Sequence, residues 1–274
     1  MAVFLNDQFL ENKDASLNIM DLSIQRGYAA FDYLRTVNGK PLFIEDHLDR
    51  FYASAQAMRL PISKTKEELT GIINELIKKS GLSQAGIRLI LTGGYSPDAY
   101  NPVKPNLLIT CNPQTLPSVE DVEKGISIIT YEYQRDLPQI KNINYMMAVW
   151  LQSIIKEKKA EDVLYYRNNI LTEFPRANLF IVTKDNALVT PAENILLGIT
   201  RKKLIGLAID FIKVEERNIS KEELYGAKEI FMCSTTKRIL PIIKVDEIKI
   251  GNEYPGEITT DLYKRFLSLE EVNY

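Results

Sequence analysis

The chain has 274 residues, 34 Lys and Arg against 36 Asp and Glu, one His and two Cys. A net charge of −2 excludes nucleic acid or a membrane surface held by bulk charge, and a chain of this length needs no disulfide or metal staple. Cys111 and Cys233 stand alone and His47 is the single histidine. Zinc ribbons, disulfide frameworks, HExxH sites and three-histidine zinc sites are therefore excluded, no resident metal is expected, and a reducing compartment, the cytoplasm, fits. GxSxG, GxxxxGK[ST] and GxGxxG do not occur. A catalytic proton shuttle then falls to Lys, Asp, Glu, Tyr or Cys. The first residues lack a basic, then apolar, leader pattern, so no signal peptide is expected, and no apolar run is long enough to span a bilayer.

In chain order, Val3–Leu5 and Gln8–Leu10 flank Asn6-Asp7 and predict a hairpin. His47–Met58 places Leu48, Phe51, Tyr52, Ala55 and Met58 at helical spacing, and Glu67–Lys79 is a second amphipathic helix closed by Gly81. Ile87–Leu91 and Leu107–Thr110 are β-rich and bracket a long Gly/Pro/Asn-rich loop, Gly93–Pro105, of a length that suggests function. A proline-bearing, aperiodic stretch follows. It divides the chain into a small α/β domain over 1–114, a linker over 115–120 and a larger domain over 121–274. In the larger domain Ile126–Tyr133 is a strand and Tyr145–Lys158 a helix. Val163–Tyr166 and Leu171–Phe174 flank Asn168-Asn169, and Leu179–Thr183 and Ala187–Val189 flank Asp185-Asn186. Thr200–Ile212 is helical, Ser220 with Glu223 makes a capping box, and Ile230–Cys233 and Ile239–Ile243 are strands around Ser234-Thr235-Thr236. Thr260–Leu269 closes the chain as a helix. The class is mixed α/β.

Five places could carry chemistry. Lys141 stands at a strand-to-helix junction among apolar residues, where a desolvated amine becomes a nucleophile or base; taken locally, a solvated loop lysine is the commoner case. Leu196-Leu197-Gly198-Ile199-Thr200-Arg201 leads from a strand into a helix start, a phosphate-binding geometry or an ordinary cap. Ser234-Thr235-Thr236 is a second hydroxyl cluster or a plain turn. Glu173 ends a β-rich run, buried against a ligand cation or set at a rim. Arg50, three residues after His47, shares its helix face and offers a fork suited to phosphate.

Their order and spacing resemble the class IV, fold type IV, pyridoxal-phosphate aminotransferases, the family of branched-chain and D-amino-acid aminotransferases and aminodeoxychorismate lyases. The N-terminal part of the resemblance is Arg26-Gly27-Tyr28-Ala29-Ala30-Phe31-Asp32-Tyr33-Leu34-Arg35 and Pro41 to Ala55, with His47 and Arg50 inside it. The rest is the Lys141 segment, Leu171-Thr172-Glu173 followed by Asn178-Leu179-Phe180, Leu197 to Arg201, and Ser234-Thr235-Thr236. The resemblance implies a small N-terminal α/β domain and a C-terminal pseudo-barrel, a homodimer, and pyridoxal 5'-phosphate as cofactor. It makes Lys141 the Schiff-base lysine and proton carrier and Glu173 the partner of the pyridine nitrogen. Arg50, Ile199, Thr200, Ser234 and Thr235 are assigned to the phosphate, Leu196 to the ring face and Tyr145 to the ring hydroxyl. The implied reaction is ping-pong transfer of an amino group between an amino acid and a 2-keto acid.

For the substrate, the D-amino-acid branch uses an arginine and a histidine in the loop where this chain has Asp98 and Tyr100. The branched-chain branch uses a tyrosine and an arginine on the preceding strand, where this chain reads Gly86-Ile87-Arg88. The resemblance thus points to Arg88 for the α-carboxylate, with Phe31, Arg35 and Thr236 lining the pocket, and to an L-amino acid with a branched or other apolar side chain. The alternatives are a D-amino-acid aminotransferase and a 4-amino-4-deoxychorismate lyase.

Overall fold

A computed structural model describes residues 2–273. Contacts divide the chain into two units: the first runs to Thr115 and takes in Ile140–Asn144 and the residues from Glu270, and the second holds Leu116–Gln139 and Tyr145–Leu269. The lysine segment is therefore part of the first unit, although 24 residues of the second (Leu116–Gln139) precede it in the chain.

The first unit contains β1 (Ala2–Leu5), β2 (Gln8–Glu11), α1 (Leu22–Arg26), β3 (Ala29–Val37), β4 (Lys40–Pro41), α2 (Ile44–Ala57), α3 (Lys66–Ser80), β5 (Ala85–Thr92) and β6 (Leu107–Pro113). The six strands order as β2-β1-β6-β5-β3-β4. The expected hairpin turns at Asn6 and Asp7, both with positive φ, as a right-twisted two-residue loop requires. Sequence periodicity passed over β3, which carries much of the site. Its Ala30 and Leu34 join Leu48, Phe51, Leu69 and Ile73 of α2 and α3 in one buried cluster, so by strand alternation Phe31, Tyr33 and Arg35 stand on the opposite face. The second helix begins with a capping box at Thr65 and Glu68 and ends on Gly81 at φ 66°.

The second unit contains α4 (Val119–Lys124), β7 (Ile126–Glu132), α5 (Met146–Trp150), α6 (Gln152–Glu157), β8 (Asp162–Arg167), β9 (Ile170–Leu171), β10 (Glu173–Phe174), β11 (Ala177–Val182) and β12 (Ala187–Thr190). It continues with α7 (Ile199–Ala208), β13 (Lys213–Glu216), α8 (Lys221–Tyr225), β14 (Glu229–Ser234), β15 (Arg238–Val245), β16 (Ile248–Lys249) and α9 (Glu257–Val272), the last as far as Leu269. Its ten-stranded sheet runs β13-β12-β11-β14-β15-β7-β8-β9, with β10 on β11 and β16 on β15. The core strand β11 is buried at every position and reads as an unbroken apolar run after Asn178.

Three expectations change. The helix over Tyr145–Lys158 is broken at Leu151 into α5 and α6. Leu171–Phe174 is split, because Thr172 leaves the strand to donate to the Tyr165 carbonyl. The Ser220 box is half formed: Ser220 Oγ accepts from Glu223 N–H, but the Glu223 carboxylate turns to Arg217 instead of the cap.

Candidate active site

In the first unit, Lys141 is held by backbone. The Phe31 N–H donates to the Lys141 carbonyl at 2.9 Å and the Ile143 N–H to the Ala29 carbonyl at 3.2 Å, so the segment lengthens the sheet beside β3. The Lys141 N–H donates to Ser54 Oγ of α2 at 3.2 Å. Its Nζ lies 4.5 Å from the Phe31 ring centroid, which brings together two of the expected site residues on one sheet face. Lys141 is thus half-buried, with its amine over an aromatic face.

Arg50 stands on the other side of β3. Its Nε donates to Asp32 Oδ2 at 2.8 Å and its Nη2 to Oδ1 at 2.9 Å, while His47 Nδ1 lies 2.7 Å from Oδ1. Asp32 is fully buried, which raises its carboxyl pKa, but Arg50 and His47 more than offset this and hold it well below the usual carboxylate range. Burial lowers the pKa of His47; Asp32 partly restores it, and the charges of Arg50 and Lys141 push it down again. His47 is thus neutral near pH 7 and donates from Nδ1 to an ionised Asp32. One edge of the Arg50 guanidinium, Nε with Nη2, is thus fixed by Asp32 before any ligand arrives, and the fork geometry suits an anion on the remaining edge.

Arg35 and Arg88 share the face of β3 and β5 that carries Phe31. They differ in use. Arg35 is buried and ion-paired with Glu270, so its guanidinium does not line an open pocket. Arg88 is exposed, pairs across the sheet with Tyr33, and meets no acid among the described residues. In the Gly93–Pro105 loop, Asp98 accepts from Ser96 Oγ and from the backbone N–H groups of Tyr100 and Asn101. The Asn101 N–H is the largest cause of its lowered pKa. This carboxylate fastens a turn and offers no cation to a substrate.

In the second unit, Glu173 is 4% exposed. Its Oε1 accepts from Arg135 Nε at 2.7 Å and its Oε2 from the Leu196 N–H at 2.9 Å. Arg135 is itself fixed by donating Nη2 to the Pro138 carbonyl at 2.6 Å. Sequence reasoning passed over Arg135, because nothing local marks an arginine in a loop as the partner of a glutamate 38 residues on. Asn178 opposes both Glu173 and Cys233 across the sheet and donates to the Leu196 carbonyl at 2.7 Å. Leu196, Glu173 and the Ser234–Thr236 turn are thereby gathered around one asparagine. Ser234 Oγ and Thr236 Oγ1 are 3.3 Å apart, and Thr235 lies between them in the turn that joins β14 to β15. Beside it the Cys233 thiol is buried and its pKa pushed up to about 12, so it is inert.

The start of α7 completes the group. Gly198 is its N-cap and makes no side-chain cap, while Ile199 and Thr200 in the first turn are buried. A buried helix start with uncapped N–H groups is an unmet demand for acceptors, and an anion such as a phosphate monoester meets it. Gly198 is required sterically: a Cβ there would overlap Asn178 Oδ1 and lie 3.3 Å from its Cγ. Arg201 turns away from this end, to Thr190, the Pro191 carbonyl and Glu216. Tyr145 is the N-cap residue of α5. Within the second unit the uncapped amides and small hydroxyls suit the phosphate of pyridoxal phosphate and the fixed Glu173 carboxylate suits its ring nitrogen; within the first unit the Lys141 amine suits its aldehyde.

Among the described residues no helix is long and apolar enough to cross a membrane, and no group of His, Cys, Asp or Glu could hold a metal. Comparison with known proteins gives one family. The family model for amino-transferase class IV matches residues 29–245. A candidate branched-chain-amino-acid aminotransferase of Methanocaldococcus jannaschii is 31% identical over 97% of this chain and 95% of its own. A D-alanine aminotransferase of Staphylococcus epidermidis is 30% identical over 96% of each. The crystal structure of the Escherichia coli branched-chain amino acid aminotransferase superposes with a TM-score of 0.92 at 27% identity, over 98% of this chain and 94% of that one.

Proposed function

The chain belongs to the class IV aminotransferases and is a pyridoxal-phosphate-dependent transaminase, and we propose that it moves an amino group between an L-amino acid with an apolar side chain and a 2-keto acid. One observation carries the choice of substrate. Arg88 is an exposed cation without an acidic partner among the described residues, on the sheet face that bears Lys141 over Phe31. At the two loop positions that carry the D-amino-acid trap this chain has Asp98, already committed to its own turn, and Tyr100. The reading of an α-carboxylate therefore falls to β5 rather than to the loop.

Bound here, pyridoxal phosphate would supply an electron sink for the substrate carbanion. The first unit contributes the amine of Lys141, which holds and moves the proton at the substrate α-carbon. Arg50, fixed by Asp32 and His47, offers its remaining edge to phosphate. The second unit contributes the α7 amides of Ile199 and Thr200 and the hydroxyls of Ser234 and Thr235 for phosphate. Glu173 would keep a ring nitrogen protonated, Leu196 would cover a ring face, and Tyr145 would donate to a ring hydroxyl. Arg135 aims Glu173.

The test is the visible absorption of the purified protein loaded with pyridoxal phosphate, titrated separately with L-leucine and D-alanine. Conversion by L-leucine alone is expected. Conversion by D-alanine alone would replace this reading with the D-amino-acid one, which the relative from Staphylococcus epidermidis favours. Release of pyruvate from 4-amino-4-deoxychorismate without a keto acid would identify a lyase.

A further inference from the structure

On β5 the residue at position 86 is glycine, and the neighbouring strand shows why. A Cβ built on Gly86 would overlap the Tyr33 hydroxyl and lie 2.5 Å from Tyr33 Cζ. The tyrosine pairs with Arg88 across the sheet, and its ring leans over Gly86, the next residue of β5 on the same face. The glycine at 86 and the tyrosine at 33 are thus one arrangement, in which a phenol from β3 fills the space above β5.

That phenol has two polar neighbours. Its hydroxyl donates to Gln114 Oε1, just beyond the end of β6. The Arg88 guanidinium carbon lies 5.7 Å from the ring centroid. Burial raises the Tyr33 pKa, with Arg88 opposing, so the group stays a neutral hydrogen-bond donor near pH 7. Phe31 stands two residues earlier on β3 and on the same face, roughly 7 Å along the strand, and carries Lys141 Nζ over its ring. Phenol, guanidinium and amine are therefore all carried on one sheet face.

We propose that Tyr33 and Arg88 form a two-point subsite for the substrate α-carboxylate, with the Tyr33 hydroxyl swinging from Gln114 to one carboxylate oxygen while Arg88 holds the other. The subsite rests on the transaminase reading. Without a ligand, Gln114 satisfies the hydroxyl and keeps the ring over Gly86. With one, the neutral hydrogen bond is exchanged for a charge-assisted one, the stronger kind. An amine without a carboxylate gains nothing from the exchange. Tyr33 is on this account a specificity-determining residue that separates amino acids from simple amines.

The experiment uses the holoenzyme and follows cofactor conversion with L-leucine and with 3-methylbutylamine, the same molecule without its carboxylate. D-alanine and ethylamine replace them if wild type takes the D-amino acid. Tyr33→Phe keeps the ring over Gly86 and removes only the hydroxyl. It is expected to raise the half-saturating amino acid concentration about tenfold and to leave that for the amine unchanged. Tyr33→Gly combined with Gly86→Tyr returns a phenol to the same space from the other strand. It is expected to recover the preference for amino acid over amine that Tyr33→Gly alone loses; a purely structural role would move acid and amine together. Equal shifts for acid and amine, or no shift in Tyr33→Phe, with wild type converting the amino acid normally, would overturn the subsite and leave the transaminase reading standing. No conversion of wild type by any amino acid would overturn both.

Discussion

Asp32 grips the Arg50 guanidinium with both carboxylate oxygens, Nε on Oδ2 at 2.8 Å and Nη2 on Oδ1 at 2.9 Å. The arginine is thereby aimed before a ligand binds, and the ordering cost is met during folding rather than at binding. Asp32→Asn, which removes the charge and keeps the shape, is expected to weaken pyridoxal phosphate binding ten- to a hundredfold, the worth of about 1.5–3 kcal/mol. Binding of unphosphorylated pyridoxal should barely change. Equilibrium dialysis of both compounds against the apoprotein checks this, and equal losses for the two would count against a phosphate role for Arg50.

The same cluster sets the acid limit of stability. His47 has a lowered pKa in the folded chain and an ordinary one, about 6.5, when unfolded, so the unfolded state binds the extra proton first. Stability is therefore lost as pH falls below about 6.5 toward the folded value. Asp32 also has a lowered folded pKa; its contribution is full above about pH 4 and is lost as pH falls further, through that folded pKa. Urea unfolding at a series of pH values should show two falling segments. His47→Gln should flatten the upper one and Asp32→Asn the lower.

Lys141→Ala should leave no mass of cofactor on the chain after borohydride reduction, whereas wild type retains it. Turnover should fall at least about a hundredfold, since the same amine carries the proton. Normal turnover in this variant would remove Lys141 from the chemistry.

Glu173 is held from both oxygens, by Arg135 and by the Leu196 N–H. Glu173→Gln should lower kcat about a hundredfold with little change in KM, because a neutral amide stabilises developing charge poorly. Arg135→Leu leaves a buried carboxylate without its cation and should cost about 3 kcal/mol or more of stability, seen as a lower Tm. Arg135→Lys should recover stability better than it recovers kcat, because a lysine restores the charge without the planar fork.

Gly198→Ala would drive a Cβ into Asn178 Oδ1 and separate the α7 start from the Asn178–Leu196 link. A cost of about 1–3 kcal/mol is expected from overpacking, together with weaker phosphate binding. Asn178→Ala in the same chain should relieve the first effect and leave the second.

Much was legible along the chain because it depends on short-range chemistry. The periodicity of Leu48, Phe51 and Ala55 marked a helix, Asn6-Asp7 a hairpin, and Gly81 a helix end. The functional motifs were legible by resemblance, since each is a short run whose order is kept: Lys141, Leu171-Thr172-Glu173, Gly198-Ile199-Thr200 and Ser234-Thr235-Thr236. Strand β3 was harder, because Asp32 and Arg35 interrupt its apolar alternation; both are buried in ion pairs that only the fold supplies. For the same reason Arg35 read as a pocket residue, when its charge goes to Glu270, 235 residues away.

The order of residues along the chain was enough to point to the family and to offer Lys141 and the helix start at Gly198-Ile199-Thr200 as candidates, because short motifs keep their residue types at local spacing. The pairing of arginines with acids came from the tertiary structure. Arg35, Arg50, Arg135 and Arg201 are each matched to an acid, and Arg88 has none among the described residues. It alone decided that a tyrosine on one strand fills the place of a glycine on the next. Both are facts about neighbours brought together by strand pairing, and a pairing register is a property of two segments that neither carries alone.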